Sequence, residues 1–152
     1  MKQIVLDAPE EVGPWVAKRL GTVWTKGRGS AIGLWSDEGW VAGVLFDSWN
    51  GRSLCMHVAA VPGARWMTRD YLYVCFAYPF LQLGCSKLIG LVGEGNLQAR
   101  KFDEHLGFVL EATLEDAHPD GKLLVYTMTK EQCRWINAER RPHGQAFRTA
   151  AA

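Results

Sequence analysis

The 152-residue sequence carries almost no net charge, +1 at neutral pH. No global field therefore calls for DNA, RNA or an anionic membrane as a partner. It also lacks a long apolar run. The longest, residues 72–81, is about half of what a bilayer span requires. The apolar part of residues 1–7 is too short for a signal peptide. Four cysteines are present (Cys55, Cys75, Cys85 and Cys133), with no CxxC pair and no metal-ligand spacing. Three lie in apolar stretches, where a free thiol behaves as a small hydrophobe. A reduced, cytoplasmic protein without a metal is expected. There is no HExxH pair, nucleophile elbow or Walker loop, and no repeat or low-complexity segment.

What is present is an ordinary globular composition, 48% hydrophobic and 22% charged, on a chain long enough for one domain with a proper core. Seven tryptophans are many for this length. They fill a core, line an apolar pocket or form an interface.

Residues 2–6 predict a short strand. Asp7, Pro9, Glu10 and Glu11 then open a helix that runs to about Leu20 and stops at Gly21, with Gly13-Pro14 expected to break or bend it. Residues 22–29 read as loop. Three strand-like runs follow at 31–36, 40–49 and 53–61, punctuated by Asp37-Glu38-Gly39 and by the hairpin signal Asn50-Gly51. Thr68 caps a second helix, which Pro79 should kink and Gly84 end. Residues 87–92 form a strand. Asn96 caps a third helix whose Ala99, Phe102 and Leu106 share one stripe, and Gly107 ends it. Strands at 108–114 and 122–129 and a short helix at 131–138 complete a domain of residues 1–138, followed by a flexible basic tail, 139–152.

This order, with residues 96–108 (Asn96, Ala99 three positions on, then a short helix closing in Gly107-Phe108), resembles the GNAT N-acetyltransferase family over roughly residues 2–129. A broader similarity is to small acetyltransferase-like proteins of tailed phages and prophages. The resemblance implies an α/β GNAT acyl-CoA N-acyltransferase fold: a central mixed sheet of six to seven strands flanked by helices. It implies acetyl-CoA as cofactor and an amine acceptor, small molecule or protein, on a monomer or homodimer.

The family's phosphate loop corresponds to residues 61–70. Pro62 and Arg65 match its pattern, whereas Thr68 and Asp70 stand where glycine or alanine is usual. The loop's remaining donors are the N–H groups of Trp66, Met67 and Thr68, the Thr68 hydroxyl, and the cations of Arg65 and Arg69. Asp70 competes with an anion for the same helix end. Thr68 as a plain N-cap with solvated arginines is the alternative. By position the resemblance also implies that the backbone of Val58, Ala59 and Ala60 pairs with the pantetheine arm, and that Asn96, Arg100 and Phe102 meet the cofactor from the other side.

Transfer to an amine needs a base, a polarised carbonyl and a proton for the departing thiolate. The family's usual tyrosine is replaced here by Asp103, which borders the buried stripe of the third helix. Arg100, three residues earlier, predicts a structural ion pair. The other reading is a desolvated acid of raised pKa. His57, on the fourth strand, is the candidate base, against a packed structural histidine. Glu94 is a further candidate acting through water. The missing glycines and tyrosine leave a second class open: a catalytically degenerate protein-binding module using Trp35, Trp40, Trp49 and Trp66. No nucleic-acid partner is expected, since the tail holds few arginines.

Overall fold

The computed structural model describes residues 1–137 and 147–148. The elements follow the order β1 (Gln3–Val5), α1 (Pro9–Leu20), β2 (Gly29–Ser36), β3 (Gly39–Asp47), β4 (Ser53–Ala60), α2 (Arg69–Ala77), β5 (Lys87–Gly93), α3 (Leu97–Leu106), β6 (Val109–His118), β7 (Gly121–Thr129) and β8 (Phe147–Arg148). They form one mixed sheet in the order β6-β7-β5-β4-β3-β2-β1-β8. Seven strands come from the domain, as expected, and the eighth is a two-residue pairing, parallel to β1. The rest of the proposed tail lies outside the described residues. The helix expected over 131–138 is a single 3₁₀ turn, Arg134–Ile136, and residue 138 falls outside the described residues.

The sheet's two faces are covered differently. Val12, Val16 and Ala17 of α1 pack on Ala31, Leu45 and Ala59. Gly33 and Gly43 are cross-strand partners, and a Cβ on either would come within 2.8 Å of a valine methyl of α1. Their bare backbone forms the dent that seats the helix. On the opposite face α2, α3 and the turn after α2 bury Phe76, Phe80, Leu88, Leu106 and Phe108 in the larger core. Each such side chain contributes about 2 kcal/mol of burial.

One helix expectation is corrected. Gly13-Pro14 does not break α1, which runs unbroken from Pro9 to Leu20. Pro14 lies on the exposed side, where the carbonyl its ring leaves without a donor is open to solvent. Gly13 is a seat: a Cβ there would stand 2.4 Å from the Trp24 indole, whose Nε1 donates to Glu10 at 2.9 Å. Gly13→Ala should therefore destabilise the protein although alanine favours helix by about 1 kcal/mol. Overpacking of about 1–3 kcal/mol outweighs that gain. The expected outcome is a melting temperature lower by about 4 °C in a calorimetric scan; an increase would contradict the seat. After α2, Pro79 sits at the start of a wider helical form. Tyr78–Gln82 form a π-helical turn closed by Leu83 N–H to Tyr78 O at 3.0 Å, a form that absorbs a missing donor.

Candidate active site

The site begins where two strands part. β4 and β5 run parallel and pair at only three positions, Ser53↔Lys87, Leu54↔Leu88 and Cys55↔Ile89. Beyond them β4 stays paired with β3 to Ala60, and β5 stays paired with β7 to Gly93. Val61 N–H bonds Val41 O at 2.8 Å. Strand alternation then turns the backbone of His57 and Ala59 toward β3, and that of Met56, Val58 and Ala60 toward the gap. Glu94 N–H bonds Lys122 O at 3.0 Å, which by the same alternation turns Leu91 and Gly93 toward the gap from β5. Two strand edges thus face each other without pairing.

The gap opens into a recess of about 490 Å³ lined by Val58, Ala59, Ala60, Trp66, Asn96, Ala99 and Phe102, among others. The three alanines, Ala59, Ala60 and Ala99, leave it room. Of the sequence-implied cofactor residues, Val58, Ala59, Ala60, Trp66, Asn96 and Phe102 come together here. Trp66 is buried and turned inward, its ring 5.2 Å from Phe102 and 6.2 Å from Tyr71. It builds the wall of the recess. Asn96 is also the N-cap of α3, accepting from Ala99 N–H at 3.1 Å.

The phosphate loop differs from expectation. Thr68 N–H is not free, because it bonds Trp66 O at 2.8 Å. The Thr68 hydroxyl accepts from Tyr71 N–H at 3.2 Å as the cap of α2. These two bonds leave the amides of Arg69 and Asp70 as the donors of the first turn. Arg69 is exposed and reaches Asp70 at 3.9 Å. Met67 is exposed. Arg65 lines a separate recess with Met1, Asp37 and Val41, and its carbonyl accepts from Lys2 at 2.6 Å.

The expected Asp103–Arg100 pair is absent. Arg100 turns away, donating to the Glu94 carbonyl at 3.3 Å and hydrogen-bonding Tyr126; tertiary partners outcompete the neighbour on its own helix. Asp103 instead lies over β5, its Oδ2 3.4 Å from where a Cβ of Gly90 would stand. Gly90 is the first residue past the last β4–β5 pair. Burial first, and then the charge of Glu104, pushes the Asp103 carboxyl up to about 7. A carboxyl that holds its proton near neutrality therefore sits at the vertex of the gap.

On the other face of the sheet, His57 Nε2 meets Asp47 Oδ1 at 3.0 Å. A carboxylate only accepts, so this hydrogen bond runs from Nε2–H to Asp47. His57 is the first residue on that face past the Cys55–Ile89 pair. Asp47 also lines a second recess of about 620 Å³, bordered by Trp24, Arg28 and Gly29 of the α1–β2 connection, by Trp49, and by Tyr78 of the π-helical turn. Glu94 is exposed at the β5–α3 turn, its Oε2 3.7 Å from where a Cβ of Gly121 would stand.

Sequence reasoning missed Asp47, Trp24, Tyr78 and His118. The His118 ring covers Gly93, within 2.5 Å of where a Cβ would be, and its Nδ1 accepts from Asp120 N–H at 3.1 Å. The register of the Asn50-Gly51 hairpin was the one available signal for Asp47. The actual loop is wider than two residues: Asn50 Oδ1 accepts from both Arg52 and Ser53 N–H. Among the described residues no group of His, Cys, Asp and Glu is arranged to hold a metal, and no helix is long and apolar enough to cross a membrane.

No protein-family model matches the sequence, and no curated protein sequence matches it. Solved structures do. A probable acetyltransferase is 16% identical over 82% of this chain and 72% of its own, with a TM-score of 0.59. The spermidine N-acetyltransferase from Vibrio cholerae, in complex with CoA and spermine, is 15% identical over 84% of this chain and 78% of its own, at 0.60. The Campylobacter jejuni N-acetyltransferase PseH, in complex with acetyl coenzyme A, is 16% identical over 80% and 79%, at 0.55. The chain has the fold of these acetyltransferases.

Proposed function

We propose that the chain is an acetyl-CoA-dependent N-acetyltransferase that acts on a primary amine of a small molecule or a protein. The observation that carries this reading is the unpaired gap between β4 and β5. Strand edges need partners, and an extended, amide-bearing arm fits between them as an added strand would. Free cysteines without a pairing motif support a reducing, cytoplasmic setting.

When bound, acetyl-CoA supplies a thioester activated for acyl transfer. Val58, whose backbone faces the gap, offers an N–H to polarise a carbonyl held there. The His57–Asp47 pair accepts the proton of the acceptor ammonium from one face of the sheet. From the other face, Asp103 delivers the proton that a departing thiolate needs. Base and acid thus stand on opposite sides of the gap, which keeps the two proton transfers from short-circuiting. Trp66 and Phe102 shield the recess from water. The amides of Arg69 and Asp70 and the Arg69 guanidinium are the donors for a diphosphate at the mouth.

Titration calorimetry with CoA tests the reading. Binding is expected at about micromolar to submillimolar concentration. Asp70→Asn should tighten it by about 2- to 5-fold, because it removes an anion from the helix end that a diphosphate would occupy. Absence of heat at millimolar CoA would overturn the proposal.

A further inference from the structure

The comparison structures include a spermidine acetyltransferase, yet the recess beside Asp47 is not built for a polyamine. It is lined by four aromatic residues, Trp24, Phe46, Trp49 and Tyr78, and Asp47 is its only acidic residue among those described; Arg28 adds a cation. An oligoamine with two or three ammonium groups would bring one to Asp47 and find no second carboxylate in the lining. An unpaired ammonium in such a site is costly.

From this we infer that the acceptor is an arylalkyl monoamine, with a single ammonium held at Asp47 and a flat ring held between the indoles. The inference rests on the acetyl-transfer reading and specifies its acceptor. Trp24 is a rigid wall. Its ring is packed over Gly13 and Gly29, where a Cβ would come within 2.4 and 3.2 Å, and its Nε1 is tied to Glu10. Tyr78 is fixed from two sides, by the Ser30 hydroxyl at 2.8 Å and by the Phe46 ring at 5.1 Å. Trp49 is 43% exposed in the β3–β4 loop and is the adjustable wall. Preset aromatic faces favour a ring by stacking, and they favour an adjacent cation through their π-electrons. The volume, about 620 Å³, admits a one- or two-ring amine. Strand register places Asp47 near the vertex of the gap. Asp47 lies opposite Cys55, the last β4 residue paired to β5, and its partner His57 is two residues beyond.

The test has two arms. In the first, calorimetry measures tryptamine, phenethylamine, n-butylamine and spermidine binding to the full chain without cofactor. The two arylalkylamines should bind about 10-fold more tightly than spermidine or butylamine. Trp49→Ala should weaken tryptamine by about 10-fold and leave butylamine and CoA affinity unchanged. In the second, acetyl-CoA turnover with the same amines should follow the same order in kcat/KM. Tighter binding or faster turnover of spermidine overturns the inference, as does equal loss for tryptamine and butylamine in Trp49→Ala. CoA binding without turnover of any arylalkylamine also overturns it and leaves the cofactor reading intact. Failure of CoA to bind removes acetyl transfer, and the first arm still decides what the recess holds.

Discussion

Replacing Asp103 by asparagine should lower kcat by about 10²-fold or more and, at the same time, stabilise the protein above neutral pH. The carboxyl's ordinary value is 3.8, and in the fold it is pushed up to about 7. Below about pH 3 both folded and unfolded chains are protonated there, and burial carries no electrostatic penalty. As pH rises toward 7, the unfolded chain ionises freely while the folded one holds its proton. Stability therefore falls across that window, and it stays lower above pH 7 by about 2 kcal/mol once solvent access is allowed for. Asparagine keeps the shape and removes the penalty. At pH 8 the variant's melting temperature should rise by about 5 °C, with no rise at about pH 3. In the proposed mechanism the protonated carboxyl is the active form, so kcat of the wild type should decline as pH passes about 7 on that limb. The decline should vanish in Asp103→Asn, with CoA affinity unchanged within about twofold. Stopped assays over pH 6–9 and scanning calorimetry check both halves. An unchanged kcat would assign the proton to another donor.

The second large effect is steric. Ala99 lines the recess from the first turn of α3, where its methyl leaves room for an arm between the strands. Ala99→Trp places an indole in that space. CoA affinity should fall by about 100-fold or more, while the melting temperature shifts by only a few degrees: Ala99 is half-buried, and the lost helix propensity is below about 1 kcal/mol. Calorimetry on the two proteins checks it. A variant that still binds CoA at the wild-type level would place the arm somewhere other than between β4 and β5.

Helix α3 was legible because both its ends are written in side chains. Asn96 accepts from Ala99 N–H, and Gly107, at φ 109°, adopts the left-handed geometry that closes the helix. The β2–β3–β4 meander was legible from its turns. The gap itself was not. Val58 and Leu91 are good strand residues whether or not a neighbour pairs with them, so nothing in their chemistry marks where β4 and β5 part. Asp103 was placed correctly on its helix and given the wrong partner. Spacing along a helix brings Arg100 near, but Tyr126 and the Glu94 carbonyl, contributed by other elements, decide where the guanidinium goes. Gly13 read as a breaker because its neighbour is proline. Its real function, making room for an indole 11 residues further along, depends on a contact that no local pattern encodes.

The brevity of the contact between the two central strands has a mechanical corollary. With three paired positions joining them, the sheet behaves as two plates sharing a short weld, β4 with its antiparallel neighbours on one side and β5 with β7 and β6 on the other. A molecule seated between the plates supplies the missing stitches. On the acyl-transfer proposal, occupancy should stiffen the sheet along with the pocket, and acyl groups that need the plates to part further should be transferred more slowly.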